Sequence, residues 1–237
     1  MPGWHVGCSI DAGMKAGTLF FATVLLDVDG TLIDSNGAHA ETWAQALTEN
    51  GVPRDAARIR PLIGMGSDKL LPTLGLEDGS PLGHTVAQRK KELFEERRAR
   101  LQPTRGARAL LTFLHEQGKS LVVATSGSDD EMEALLEQAG VRDLIPRRTS
   151  KDDASRSKPD PDIVLASLKR SGGRAQTSVM VGDTPYDIEA ARRAGVMLLA
   201  LRCGGHWTDR DLGAAMAIFD DPADLLARWQ ASTTADR

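Results

Sequence analysis

Thr23-Val24-Leu25-Leu26-Asp27-Val28-Asp29-Gly30-Thr31 decides how this chain is read: an apolar, strand-like segment ends in two carboxylates one residue apart and then breaks at glycine. Side chains alternate along a strand, so Asp27 and Asp29 point the same way if strand geometry continues. Gly30 frees the backbone to bend around a ligand. Two like charges this close call for a cation between them. The hard divalent ion that suits both carboxylate and phosphate oxygens is Mg2+, usually held by one or two carboxylates together with substrate oxygens. The spacing therefore points to a phosphate-handling site, set against the plainer alternative of two solvated aspartates in a turn.

Composition narrows the field. A chain of 237 residues, 41% hydrophobic and 26% charged, is long enough for one domain plus a large insertion or for two small domains. A net charge of -4 and a pI near 5.8 leave no basic field for a nucleic acid backbone, and no zinc-finger spacing occurs, so nucleic acid is not an expected partner. Cys8 and Cys203 stand far apart and read as incidental thiols of a reducing, cytoplasmic compartment. The apolar run Leu19 to Leu26 is too short to span a bilayer and enters Asp27 directly, which makes it a buried strand; no membrane partner is expected. Met1 to Ala16 is glycine-rich and lacks a cationic start and cleavage site. Residues 1–17 read as a loose extension, with Met14 as an alternative start.

After Asp34-Ser35-Asn36 the periodicity turns helical: Ala40, Trp43, Ala44 and Leu47 share a face, with Ser35 or Asn36 suited to the N-cap, before Gly51 and Pro53 end the segment. Further helices are expected at Asp55 to Arg60, Ser67 to Leu74 and His84 to Leu101. No convincing strand appears before Pro103, so residues 36–102 read as a helical unit inserted between 18–35 and 103–237. From Gly106 onward helix and strand alternate, with strands expected at Ser120 to Thr125, Leu144 to Pro146, Ser178 to Val181 and Val196 to Leu201. Alternation of this kind implies an α/β fold, a parallel sheet covered by helices on both faces. Ligands of such sheets bind at the carboxyl ends of the strands. There the chain places Thr125-Ser126-Gly127 and Gly182-Asp183-Thr184-Pro185-Tyr186-Asp187, with Lys158-Pro159-Asp160-Pro161 between them.

In this order D-V-D-G-T, T-S-G, K-P and G-D-T-x-x-D resemble the four motifs of the haloacid dehalogenase (HAD) superfamily, in its Mg2+-dependent phosphatase branch. The helical unit after Asp34 resembles the C1 cap of the phosphoglycolate phosphatase and β-phosphoglucomutase subgroup. The resemblance covers nearly all of Thr23 to Trp229 and implies a Rossmann-like core with an inserted helical cap. It implies Asp27 as the nucleophile that forms an aspartyl-phosphate, and Asp29 as general acid and base. Mg2+ would be held by Asp27, Asp183 and the Asp29 carbonyl, with Asp187 orienting metal-bound water. Thr125, Ser126 and Gly127 would bind the phosphoryl oxygens, and Lys158 would neutralise the remaining charge. Thr125 and Ser126 also suit capping of the next helix, as do Ser128 and Asp129. Asp34 reads as a cap of the first inserted helix, and Asp152 and Asp153 as a solvated loop or an acidic pair upstream of the lysine.

Specificity then belongs to the cap. Arg60 to Lys69 resembles the subgroup's glycine-containing specificity loop, in which Arg60 or Lys69 would meet an anionic leaving group. His39 occupies the offset at which β-phosphoglucomutases carry a histidine that helps control the acid/base aspartate. The mixed-charge run Arg89 to Arg100 reads as an exposed helix face with i,i+4 pairs. Asp160 stands where the family often has alanine, with no role derivable from sequence. The expected activity is phosphomonoester hydrolysis on a small phosphorylated metabolite, phosphoglycolate or a sugar phosphate, by a monomer or homodimer. A phosphomutase is disfavoured by Ser67 where those mutases carry arginine. Dehalogenase chemistry is disfavoured by the full Asp29, Lys158, Asp183 set, and a noncatalytic binding role by the presence of every motif carboxylate.

Overall fold

The computed structural model describes residues 21–77 and 79–234, so the extension expected over 1–17 and the reading of Cys8 lie outside the described residues. Six strands form one parallel sheet: β1 (Thr23–Leu26), β2 (Ser120–Ala124), β3 (Arg147–Thr149), β4 (Ser178–Gly182), β5 (Met197–Leu201) and β6 (Ala217–Phe219). Their order is β3-β2-β1-β4-β5-β6. β1 is central, with Leu26 registered on Val123 of β2 and on Val181 of β4. From β1 the chain moves outward to β2 and β3, then returns to lay β4 on the other side. The strand order therefore reverses between β1 and β4, and the crevice outside their carboxyl ends is the place where such sheets bind ligands.

Both faces of the sheet are covered, which is why β1 reads as a continuous apolar run. Val24 and Leu26 meet α5 (Ala107–Glu116), α6 (Asp129–Gln138) and α9 (Pro222–Thr234) through Leu110, Leu135 and Trp229. Leu25 faces the opposite layer, where α7 (Asp162–Ser171) and α8 (Pro185–Arg193) contribute Ile163, Val164 and Ile188. Between β1 and β2 the chain makes α1 (Asn36–Glu49), α2 (Ala56–Ile59), α3 (Ser67–Thr73) and α4 (Pro81–Arg98), which enclose a third apolar cluster built around Trp43, Leu47, Leu70 and Leu93. α1 packs along α4. Among the described residues no helix is long and apolar enough to cross a membrane.

Several expectations shift in the structure. The strand expected at Leu144 to Pro146 lies at Arg147–Thr149, because Arg142–Leu144 form a 3-10 turn and Ile145 is buried beneath it. The apolar residues anchor the turn, while the edge strand itself is polar. α4 begins earlier, at Pro81, where Ser80 accepts a bond from the Gly83 N–H at 3.0 Å, and ends at Arg98. Asp34 does not cap α1. Ser35 holds the N-cap position, and its hydroxyl is turned to Asp29 instead.

Leu25→Ala, at a fully buried position of the central strand, is expected to lower the unfolding free energy by about 2–5 kcal/mol in denaturant titration. Met197→Ala, at the exposed start of β5, should stay within ~0.5 kcal/mol of the parent.

Candidate active site

Asp27 is the first residue past β1 and its N–H donates to the Val181 carbonyl at 3.0 Å, which locks it against the end of β4. Asp183 follows β4. Asp187 sits in the first turn of α8, where it and Thr184 form a reciprocal capping box. The crevice between β1 and β4 thus gathers Asp27, Asp183 and Asp187, all buried, with carboxylate oxygens within 4.8 Å of one another. Lys158, only 1% exposed, inserts its Nζ at 2.6 Å from Asp27 and 2.7 Å from Asp187. Thr31 and Asn36 donate to the two oxygens of Asp183 at 3.2 and 2.8 Å. Two glycines make room for that carboxylate: a Cβ on Gly204 would stand 1.8 Å from Asp183 Oδ2, and one on Gly30 2.3 Å from it.

Three buried carboxylates around one ammonium leave excess negative charge. Burial, working against Lys158 and reinforced by Asp187, pushes Asp27 up to about 7. Burial, then the charges of Asp187 and Asp27, raise Asp183 well above the usual carboxylate range. Burial pulls the Lys158 ammonium down, but Asp187 and Asp27 more than offset it and hold the group above its ordinary value. A hard divalent cation fits this donor set: the oxygens are carboxylates, the charge deficit is positive, and the buried Oδ1 of Asn36 beside Asp183 has no hydrogen-bond partner.

Asp29 belongs to a second group. Its Oδ1 accepts from Ser35 Oγ at 2.5 Å and lies 2.7 Å from His39 Nε2, both on or beside α1. Burial alone would raise this carboxyl; His39, Ser35 and Lys90 together hold it down at about 2. The His39 ring stacks on Phe94 of α4 with centroids 3.9 Å apart, which fixes the imidazole. Asn36, His39 and Trp43 all lie on the buried side of α1.

Between the two groups and the helices of the insertion lies a cavity of about 160 Å3. Asp27, Asp29, His39, Thr125, Ser126 and Gly127 line it. Ser128, not Thr125, caps α6, accepting from the Glu131 N–H at 3.4 Å. Thr125 Oγ1 instead accepts from the Gly127 N–H at 3.1 Å, and the buried Ser126 Oγ has no partner. Arg60 and Lys69 do not line the cavity. Arg60 donates to the Gly204 carbonyl, and Lys69 pairs with Asp160 at 2.6 Å. Asp160, silent in the sequence, also pairs with Arg193 at 3.1 Å and so ties α3 to α8. Asp152 accepts from the Asp129 N–H at 3.0 Å and Asp153 pairs with Arg170, so this acidic pair braces a loop. Gly64 and Gly66 permit close approach to the core rather than to open space, since a Cβ on either would meet Thr184 at 2.8 Å or Ser157 at 2.6 Å.

The exposed face expected for Arg89 to Arg100 holds for Arg89, Lys91 and Arg98, but they pair with the i,i+3 residues Glu92 and Glu95 and with Asp130 of α6 rather than at the expected i,i+4 spacing. Lys90 departs from it. It is 8% exposed, lines the cavity and pairs with Glu131 at 3.0 Å. Its position explains the difference: Val86, Lys90, Leu93 and Phe94 form the inward stripe of α4, a spacing visible in the sequence but masked by the charges around it. Glu131 was hidden by its place three residues after Ser128, where an acidic residue reads as a capping partner. Gly204 and Asn36 carry no motif of their own.

The sequence model of the haloacid dehalogenase-like hydrolases matches residues 21–195. A phosphoglycolate phosphatase of Rhodospirillum rubrum is 31% identical, over 85% of this chain and 88% of its own. A validoxylamine A 7'-phosphate phosphatase of Streptomyces hygroscopicus is 30% identical, over 76% of this chain and 85% of its own. Among solved structures, a hydrolase from Pseudomonas syringae superposes with a TM-score of 0.83 at 28% identity, covering 89% of this chain and 98% of that one.

If the acidic cluster takes a divalent cation, MgCl2 should raise the melting temperature and EDTA reverse it. The gain is about 2.7 kcal/mol at a hundredfold excess over Kd. Asp183→Asn should abolish the Mg2+ response in the same thermal-shift measurement.

Proposed function

The chain belongs to the haloacid dehalogenase-like hydrolases and is a phosphatase, and on that footing we propose that it hydrolyses phosphomonoesters of a small metabolite through an aspartyl-phosphate on Asp27. The observation that carries the reading is the buried set at the β1–β4 crevice: Asp27 and Asp183 on adjoining strand ends, with Lys158 at 2.6 Å from the reacting carboxylate. A carboxylate attacks phosphorus only where the phosphate's charge is offset. Mg2+, held by Asp27, Asp183 and the Asp29 carbonyl, would supply that neutralisation.

The Asp27 carboxylate forms the new bond to phosphorus as the bond to the leaving oxygen breaks. Lys158, fixed between Asp27 and Asp187, keeps a positive charge beside the incoming phosphoryl group. Thr125 and Ser126 line the cavity, where the Thr125 hydroxyl and the Ser126 amide would serve as donors to the phosphoryl oxygens. The Asp29–His39 pair supplies the proton that the leaving oxygen takes. In the second step Asp29 takes a proton from water, which attacks phosphorus and frees Asp27, releasing phosphate. Splitting one displacement into two in this way uses the same carboxylate in opposite directions.

Phosphoglycolate and sugar phosphates are the substrate classes this reading admits. Ser67 at the cavity wall, and the absence of an unpaired buried cation among the described residues that line it, support hydrolysis over phosphoryl transfer between two positions of a bisphosphate. Phosphate release from p-nitrophenyl phosphate should require Mg2+ and stop with EDTA. Asp27→Asn should lose turnover while keeping its circular dichroism spectrum. Asp29→Asn should be slowed roughly 10²–10⁴-fold. Turnover near the parental rate in Asp27→Asn would sink the covalent reading.

A further inference from the structure

The leaving group of any substrate must occupy the part of the cavity roofed by α1 and α4, and that part carries an ion pair of its own. Lys90 Nζ lies 3.0 Å from Glu131 Oε2, 4.6 Å from the Phe94 ring centroid and 5.9 Å from that of Trp43. The other Glu131 oxygen faces His39 Nε2 at 4.0 Å. Glu131 and the two rings therefore hold Lys90 together. Among the described residues lining the cavity, no other buried cation replaces it. Lys158 is engaged by Asp27 and Asp187, and Lys91 and Lys151 stand exposed at the rim, Lys91 paired with Asp130. Among the described residues lining the cavity, no buried ammonium or guanidinium is unpaired.

This charge arrangement discriminates between leaving groups. A phosphorylated carboxylic acid such as 2-phosphoglycolate brings a second anion, which would face Glu131 and Asp29 and compete with Glu131 for Lys90. Like charges brought together in a poorly hydrated site are disfavoured, and a cation already paired offers little to a newcomer. Neutral hydroxyl groups meet the opposite situation. Each hydroxyl both donates and accepts, so neighbouring hydroxyls match a carboxylate acceptor beside an ammonium donor, without disturbing either charge. Trp43, 6% exposed and at the cavity wall, supplies an apolar surface for the carbon skeleton.

We propose that the Glu131–Lys90 pair is the specificity element of this site and that the substrate is the monophosphate of a neutral polyhydroxy compound, a sugar or polyol, rather than a phosphorylated carboxylic acid. The inference rests on the phosphatase reading and sharpens it. Glu131 acts on the leaving group from the first turn of α6, so the core contributes to a selection usually sought in the inserted helices alone.

The test compares kcat/KM for a panel of hexose, pentose and polyol monophosphates with that for 2-phosphoglycolate, using p-nitrophenyl phosphate as a substrate with neither hydroxyls nor carboxylate on its leaving group. The best neutral substrate should exceed 2-phosphoglycolate by about tenfold or more, the scale of one charge-assisted hydrogen bond. Glu131→Gln removes the acceptor charge and frees Lys90, so it should narrow that ratio by about tenfold, chiefly through a higher KM for the sugar phosphate. A merely structural role would depress all three substrate types alike and leave the ratio unmoved, which overturns the proposal. So does a parent enzyme that uses 2-phosphoglycolate as well as any neutral panel member while still cleaving the aryl phosphate. The parental ratio decides the matter even where Glu131→Gln folds poorly. Silence on every compound, the aryl phosphate included, brings down the phosphatase reading and this proposal with it.

Discussion

The repulsion among Asp27, Asp183 and Asp187 is the constraint on which the rest of this structure depends. With three carboxylates within 4.8 Å of one another, burial and the neighbouring charges push Asp27 and Asp183 toward the protonated state; Lys158 opposes that at Asp27, and the Asn36 and Thr31 donors oppose it at Asp183. The surrounding architecture is arranged to hold such a cluster. Two adjacent parallel strands deliver Asp27 and Asp183, a helix N-terminus stabilises Asp187, and Gly30 and Gly204 yield their side-chain volume to the Asp183 carboxylate. A fold that keeps this much uncompensated charge in its interior gives up stability at one point, and the fully apolar packing on both faces of β1 supplies it elsewhere.

The inserted helices are bound to the core by polar contacts of several kinds. Lys69 reaches Asp160, Arg60 reaches the Gly204 carbonyl, and the Tyr186 hydroxyl donates to the Pro61 carbonyl at 2.7 Å. None of these residues lines the cavity. Within it, Lys90 and Glu131 join α4 to α6. The same protein thus joins its layers by partly exposed pairs outside the cavity and by a buried pair at its wall.

Much of this was legible in the chain. The apolar run into Asp27 and the alternation after Gly106 carry the doubly covered parallel sheet, because burial of a strand on both faces leaves a composition that cannot be mistaken for a half-exposed one. The residues at the strand ends were legible as a group for a related reason: carboxylates, a lysine and glycines interrupt the apolar runs at one edge of the sheet. The edge strand β3 was displaced because its own residues are polar and its neighbours apolar. Lys90 was missed because a charge on a helix rich in charges gives no sign of facing inward, although its spacing from Val86, Leu93 and Phe94 does. Arg60 and Lys69 show the converse: two cations in a loop rich in glycine suggest an anion to bind, yet their partners lie in distant segments, Gly204 and Asp160, which no local pattern connects to them.

The opening turn of α1 carries Ser35, Asn36 and His39, and these three hold Asp29 and Asp183, residues of the core. By chain order they belong to the insertion; by what they touch they belong to the strand ends. The seam of modularity therefore does not coincide with the point where the chain leaves the sheet. An exchange of the inserted helices between related proteins that begins at residue 36 would carry away supports of the Asp29 and Asp183 carboxylates. One that begins beyond His39 would exchange only the roof. Among the described residues the later helices make no such hold on Asp29 or Asp183, so the first turn of the insertion is structurally a part of the sheet's edge.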